Sequence, residues 1–292
     1  MAFLSEKERQ TLAILCDTIA PALEPEDGDH PLLFRTAASD LDVPALMEEA
    51  LERVTSKAEQ REFKLLLHGL ETGVVCGLIA GQWAPISQMP LAARENVLYK
   101  LATSRFERGR TAFLSIKRLA AFLFYAVLPD DKPNPIWEAL EYTLPEPAPS
   151  SPRPIQPLPI TEPTTLDCDV LVIGSGAGGG VVAGELAAAG YNVIIAEKGG
   201  YYHGADFDGA EAPAMETLYE KYGAFVNADT TMSILAGSTL GGGTTVNWMA
   251  SFRTPANVLR EWYDVFGFDG ACSPELQASF DAVCERMCIS TQ

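Results

Sequence analysis

The chain has 292 residues, of which 47% are hydrophobic and 21% charged, the composition of a globular protein with room for two cores. Its net charge of −18 is spread along the chain, whereas a nucleic-acid surface needs clustered Lys and Arg to release counterions, so a nucleic-acid partner is not expected. An anionic cofactor stays open, because backbone amides hold phosphate without basic side chains.

Residues 1–144 read as an all-α domain. Ser5 with Glu8 has capping-box spacing, and Leu12, Leu15, Cys16 and Ile19 follow on one face before Pro21 ends the helix. Ser5-Glu6-Lys7-Glu8 also breaks any early apolar run, the pattern expected of a chain without a signal peptide. A second helical block spans 43–81 and stops at Trp83-Ala84-Pro85. Two further helices are predicted, one at 91–106 and a more buried one at 111–128 ending at Pro129. The most apolar stretches, 73–81 and 119–128, are each about half of the roughly 20 residues a bilayer crossing requires. Buried helices are the expectation there, with contact at a membrane surface as the alternative.

Residues 145–165 carry the run PEPAPSSPRPIQPLPITEP, too dense in proline for a helix or an internal strand. This is a linker, or an extended arm lying over another surface.

From 166 to 292 the composition changes. Asp169–Ile173 reads as a doubly covered parallel strand, Val181–Ala189 as a helix capped by Gly190, and Asn192–Ala196 as a second buried strand ending at Glu197. Between the first strand and the helix stands Gly174-Ser175-Gly176-Ala177-Gly178-Gly179, a GxGxxG string in strand, helix and terminal-acid context. Gly174 permits the turn, Gly176 lets a pyrophosphate approach the backbone, and Gly179 lets the helix pack on the strand. Glu197 is placed to accept hydrogen bonds from both ribose hydroxyls and to repel a 2′-phosphate, an inference that Lys198 beside it softens. This fingerprint alone leaves FAD and NAD open. A second cluster runs from Gly237 through Ser238, Thr239, Leu240, Gly241, Gly242, Gly243, Thr244, Thr245, Val246 and Asn247 to Trp248. It offers exposed backbone, two hydroxyls and the amide of Asn247 to a ligand longer than the first unit covers.

The six cysteines (Cys16, Cys76, Cys168, Cys272, Cys284 and Cys288) show no CxxC spacing and no pairing with His30, His68 or His203. A metal site is therefore not expected, and the thiols read as reduced small hydrophobes of an intracellular protein. Cys284 and Cys288, one helical turn apart, read as core neighbours.

The two glycine motifs in this order resemble those of the glucose–methanol–choline (GMC) oxidoreductases. Leu240-Gly241-Gly242-Gly243-Thr244-Thr245-Val246-Asn247 is similar to the family's second motif, which runs along the pyrophosphate and flavin of FAD. The resemblance implies an α/β fold, a Rossmann-type FAD-binding βαβ unit, incomplete here, behind the all-α domain. It implies FAD held by Gly174–Gly179, Glu197, Lys198, Gly237, Leu240–Thr244, Asn247 and Trp248. Some relatives bond flavin to a histidine just before the asparagine; Val246 stands here instead, which implies non-covalent FAD. Ser238 replaces a residue more often basic in the family. The helical first domain, Asn134-Pro135-Ile136-Trp137 and Glu261-Trp262 narrow the likeness to the long-chain fatty alcohol oxidases. Oxidation of a long-chain primary alcohol to the aldehyde is then implied, with oxygen reduced to hydrogen peroxide or another acceptor in its place. A lipophilic substrate implies peripheral membrane contact through the helical domain, or a peroxisomal location. The family's catalytic histidine lies near the end of a longer chain and has no counterpart here; His203 is too close to the adenosine end to replace it. The sequence is thus expected to be an N-terminal fragment without its catalytic base.

Overall fold

The first helix forms for the reason its sequence predicts. In the computed structural model, which describes residues 3–127, 133–146, 149, 151–228 and 231–290, α1 (Glu6–Ile19) starts at a reciprocal cap. The Ser5 hydroxyl accepts from Glu8 N, and the Glu8 carboxylate accepts from Ser5 N at 2.7 Å. The chain divides into two compact units, Met1–Val246 and Asn247–Gln292.

In the first unit α1 buries Leu12, Leu15 and Cys16, the stripe expected from its spacing. Helices α2 (Pro31–Arg35), α3 (Val43–Val54), α4 (Lys57–Glu71), α5 (Val74–Ala80), α6 (Leu91–Ala102), α7 (Glu107–Ala126) and α8 (Pro135–Ala139) follow. Met47, Leu67, Leu70, Val97, Ile116 and Phe124 join the α1 stripe in one apolar core. Each fully buried aliphatic side chain there contributes about 2 kcal/mol. Burial pushes the Cys16 thiol up to about 12, so it behaves as a small hydrophobe beside Met47.

The helical block predicted at 43–81 consists of three helices. Ser56 and Glu59 make a second capping box that starts a new helix at Lys57. Gly73, at a left-handed φ of 74°, then turns the chain into α5. Among the described residues no single helix is long and apolar enough to cross a membrane. Leu128 and Pro129, predicted to end α7, lie outside the described residues, but the helix end itself is well served. Asn134 is buried and donates to Phe124 O at 2.8 Å, while Trp137 Nε1 donates to Tyr125 O at 2.7 Å. Both close orphan carbonyls of the last turn of α7.

The proline-rich stretch lies against the segment that follows Glu197. Arg153 grips both Asp206 carboxylate oxygens at 2.6 and 2.8 Å and donates to Tyr201 O at 3.3 Å.

Strand β1 (Val170–Ile173), α9 (Ala177–Ala188) and β2 (Val193–Ala196) follow, with β1 and β2 parallel and Val170 opposite Val193. The described residues are thus mostly helical, with a small two-stranded parallel sheet. The expectation of doubly covered strands is corrected: Leu171 is 55% and Ile173 85% exposed. One helix on a two-stranded sheet covers only the face carrying Val172, and the alternate residues point the other way. Beyond β2 come α10 (Glu211–Leu218), a 3₁₀ turn at Glu220–Gly223 and the short α11 (Gly243–Val246).

The second unit contains α12 (Ala256–Asp264) and α13 (Pro274–Arg286), the latter capped by the Ser273 hydroxyl. Arg253 pairs with Asp281 at 2.6 Å and lies 3.6 Å from Cys284 Sγ. Cys284 and Cys288 are not core neighbours. Cys288 is exposed, beyond the end of α13, at a φ of 53°. The helical period placing the two thiols on one face stops before it reaches the second.

A candidate dinucleotide site

Gly174 leaves β1 at a φ of 89°, and its N–H extends the ladder to Ala196 O at 2.8 Å. The turn delivers the N-terminus of α9, whose first amides have no carbonyl partner within the helix. The glycines divide by what surrounds them. A Cβ on Gly179 would lie 2.1 Å from Gly174 O and 3.2 Å from Val172 Cγ1, so its absence sets the helix directly on the strand. A Cβ on Gly176 or Gly178 would meet no protein atom within 4 Å. At Gly176 the missing side chain is not needed for packing; it leaves backbone open to a ligand, as pyrophosphate approach requires. Ala177 begins the helix.

Ser175, the second residue of the fingerprint and expected only as one of the cofactor-binding residues, ties the site together. It is buried, its N–H and hydroxyl both donate to Glu197 Oε2 (2.9 and 2.6 Å), and its hydroxyl accepts from Gly241 N at 2.9 Å. Two motifs 66 residues apart thereby meet at one side chain. Gly242 closes the junction: at a φ of 54°, its Cβ would stand 3.0 Å from Gly176 Cα. Gly237 is equally constrained, since a Cβ there would sit 2.3 Å from Gly242 O. Thr239 Oγ1 and Leu240 N both donate to Gly200 O at 2.9 Å, fastening this loop to the chain leaving β2.

Glu197 is more committed than the sequence suggests. Besides the two Ser175 donors, its Oε1 accepts from Gly199 N at 2.8 Å. A carboxylate offers about four acceptor positions, so about one is left for a ribose hydroxyl rather than two. Burial alone raises its pKa, but hydrogen bonds from the Ser175 hydroxyl and the Gly199 and Ser175 amides outweigh it and hold the carboxyl below 4.5. A depressed folded-state pKa gives stability that is complete above the ordinary value of 4.5 and lost as pH falls through the folded value. Glu197→Gln is therefore expected to cost about 1–3 kcal/mol at neutral pH, because its amide NH₂ faces amide donors. Urea melts of both proteins should show the difference shrinking well below pH 4.5.

Other predicted site residues are partly spent elsewhere. Lys198 pairs with Glu220, which neutralises the charge that would soften discrimination against a 2′-phosphate. Thr244 and Thr245 donate their hydroxyl protons to Gly241 O and Leu240 O, at 2.5 and 2.7 Å, so these oxygens can only accept from a ligand. Gly243 has no atom within 4 Å of a would-be Cβ. Asn247 and Trp248 fall in the second unit, where Asn247 Oδ1 accepts from Met249 N at 2.7 Å and Trp248 is exposed. Tyr219, unmarked in the sequence, donates its hydroxyl to Val246 O at 3.3 Å and bridges Gly237 through its backbone. His203 N donates to Asp206, within the turn after Glu197. Among the described residues no group of three or more His, Cys, Asp or Glu could hold a metal.

Residues 215–292 match the family model of the GMC oxidoreductases. Across 98% of its length the chain is 30% identical to long-chain-alcohol oxidase FAO4B of Arabidopsis thaliana, covering 44% of that protein. It is 28% identical to long-chain-alcohol oxidase FAO1 of the same plant, again over 98% of this chain and 45% of the relative. By these matches the chain is similar to the GMC oxidoreductases. An uncharacterized GMC-type oxidoreductase of Mycobacterium tuberculosis, Rv0492c, is 36% identical over 39% of the chain and 18% of its own length. No solved structure matches. The chain spans less than half the length of the plant long-chain-alcohol oxidases it matches. GMC oxidoreductases are flavin-dependent enzymes, and the open backbone at Gly176, the α9 amides and the Glu197 carboxylate suit the adenosine diphosphate half of FAD.

Proposed function

We propose that this chain is the FAD-holding part of an enzyme that oxidises a long-chain primary alcohol to the aldehyde, with oxygen as acceptor and hydrogen peroxide as product. The observation that carries the reading is the Ser175 hydroxyl, which receives Gly241 N and donates to Glu197. The first fingerprint by itself serves NAD or FAD; a second glycine motif joined to it, resembling the GMC flavin motif, favours FAD. The chemistry FAD supplies when bound is acceptance of the carbinol hydride. The protein's own contribution in the first unit is to hold phosphate on α9 amides, the ribose on Glu197, and the flavin side on Leu240–Val246. The Rossmann-type reading of β1, α9 and β2 belongs to this proposal, as do the domain limits 1–144, 145–165 and 166–292. Val246 supports non-covalent attachment, since an aliphatic side chain forms no bond to flavin. The plant relatives' names supply the alcohol. An intracellular location belongs to the proposal too, favoured by the reduced thiols. A lipophilic substrate favours a membrane surface reached through the helical residues 1–144, or the peroxisome.

Two separable measurements test this. FAD titrated into the protein should quench flavin fluorescence, and the bound flavin should pass an ultrafilter after acid denaturation. Tight NAD binding with no FAD binding would refute the flavin reading. Anaerobic mixing of the full gene product with dodecan-1-ol should then bleach the oxidised flavin band. Flavin that stays oxidised with every primary alcohol tried removes the alcohol reading alone.

A further inference from the structure

The helical residues ahead of the nucleotide unit reach one particular place in it. At the C-terminal turn of α3, Arg53 Nη1 pairs with Glu216 of α10 at 2.9 Å, and its guanidinium stacks over the Tyr222 ring at 4.6 Å. From α7, Arg118 donates to the Ser233 hydroxyl at 3.3 Å. On α4 the Glu59 carboxyl is held low, chiefly by its Ser56 hydrogen bonds, with Lys221 adding to the effect. These interactions, from helices α3, α7 and α4, converge on residues 216–233, the approach to the second glycine motif.

That approach contains the one place among the described residues where two successive residues with side chains both sit at positive φ: Lys221 at 48° and Tyr222 at 58°. The left-handed region is unfavourable for side-chain-bearing residues, and it persists only where surroundings impose it. Here α3 holds Tyr222, and Lys221 lies over the Phe225 ring. The turn in turn fixes the motif. On one side of it Tyr219 pairs with Gly237 and donates to Val246 O, and Leu218 O receives Ser238 N at 2.7 Å. Glu220 N donates to Ala236 O at 2.8 Å. A continuous path of packed and hydrogen-bonded groups thus runs from Arg53 through Tyr222 and Tyr219 to Gly237 and Val246.

We propose that Arg53 is a positioning residue for the flavin end of the site: through Glu216 and Tyr222 it sets the Glu220–Gly223 turn, and through that turn the Gly237–Val246 loop. This inference rests on the FAD reading above. It gives the helical residues a function in cofactor binding, separate from any association with a membrane or subunit. The adenosine end, built by Ser175, Gly176 and Glu197, meets this loop at Gly241 and Gly242. The path from Arg53 enters it at Gly237, Ser238 and Val246, and this difference in entry point provides the test.

Isothermal titration of the whole chain with FAD and with ADP distinguishes the two ends. Arg53→Ala is expected to weaken FAD about five- to ten-fold, the combined size of an exposed ion pair and a cation–π interaction, and to leave ADP within about two-fold. Arg53→Lys, which keeps both a charge for Glu216 and a cation over Tyr222, should recover most of the affinity. Glu216→Gln approaches the same ion pair from an exposed position and should shift FAD in the same direction. Equal weakening of FAD and ADP, or a lowered melting temperature with the FAD-to-ADP ratio unchanged, overturns the proposal, as does no change in either ligand. Wild-type protein that binds ADP but not FAD instead overturns the flavin reading.

Discussion

Gly176→Val is expected to fold as the wild type does and to lose FAD binding by at least about 100-fold, roughly 3 kcal/mol. The two halves of this expectation have separate causes. The backbone at Gly176 has a φ of −62° and a ψ of −174°, which any residue adopts, and a Cβ there meets no protein atom within 4 Å. Nothing in the folded protein therefore resists the added Cβ. Three added carbons would occupy the approach to the first amides of α9, where the pyrophosphate must come within hydrogen-bond distance. Melting curves with and without FAD check both halves. The variant should match the wild type without ligand and gain none of the ligand-induced stabilisation that mass action gives the wild type. A variant that still binds FAD would move the pyrophosphate away from this turn.

Much of this architecture follows from local sequence rules. The Ser5 cap, the Leu12–Leu15–Cys16 stripe and the strand–turn–helix–strand order at 170–196 are short-range features, each decided within a few residues. The Ser56–Glu59 capping box is of the same kind, and applying that rule again would have divided the block at 43–81. Coverage of β1 is another matter. An apolar run such as Val170-Leu171-Val172-Ile173 is compatible with two covered faces, but how many are covered depends on elements remote in sequence. Asn134 and Trp137 gave a family likeness, and only the fold shows that they seal the α7 carbonyls.

For the site, sequence spacing located both glycine motifs but could not join them. The Ser175–Gly241 hydrogen bond crosses 66 residues, and the fingerprint imposes no residue type at the Ser175 position. Commitments of individual groups were equally hidden. Glu197 spends most of its acceptor capacity inside the turn, Lys198 is drawn to Glu220, and the threonine hydroxyls close back on their own loop. Each is a competition between a ligand and a nearby backbone group, which geometry decides and composition does not.

The neighbouring positions Gly178 and Gly179 separate packing from binding in the opposite sense to Gly176. Gly179→Ala is expected to destabilise the first unit by about 3 kcal/mol, because overpacking against backbone cannot relax through a rotamer change. The added methyl would lie 2.1 Å from the Gly174 carbonyl oxygen, far inside van der Waals range, so α9 must lift from β1 or the turn must deform. Either movement displaces the Ser175 hydroxyl from Gly241 and Glu197, so FAD binding should fall together with stability. For a unit of this size the melting temperature should drop by roughly 10 °C. Gly178→Ala is the control one residue away. Its Cβ meets nothing within 4 Å, and replacing glycine by alanine inside a helix stabilises it by about 0.5–1 kcal/mol. Equal melting temperatures for the two variants would show that α9 does not sit on β1 through Gly179, and the helix would lose its role in aiming the phosphate-binding amides.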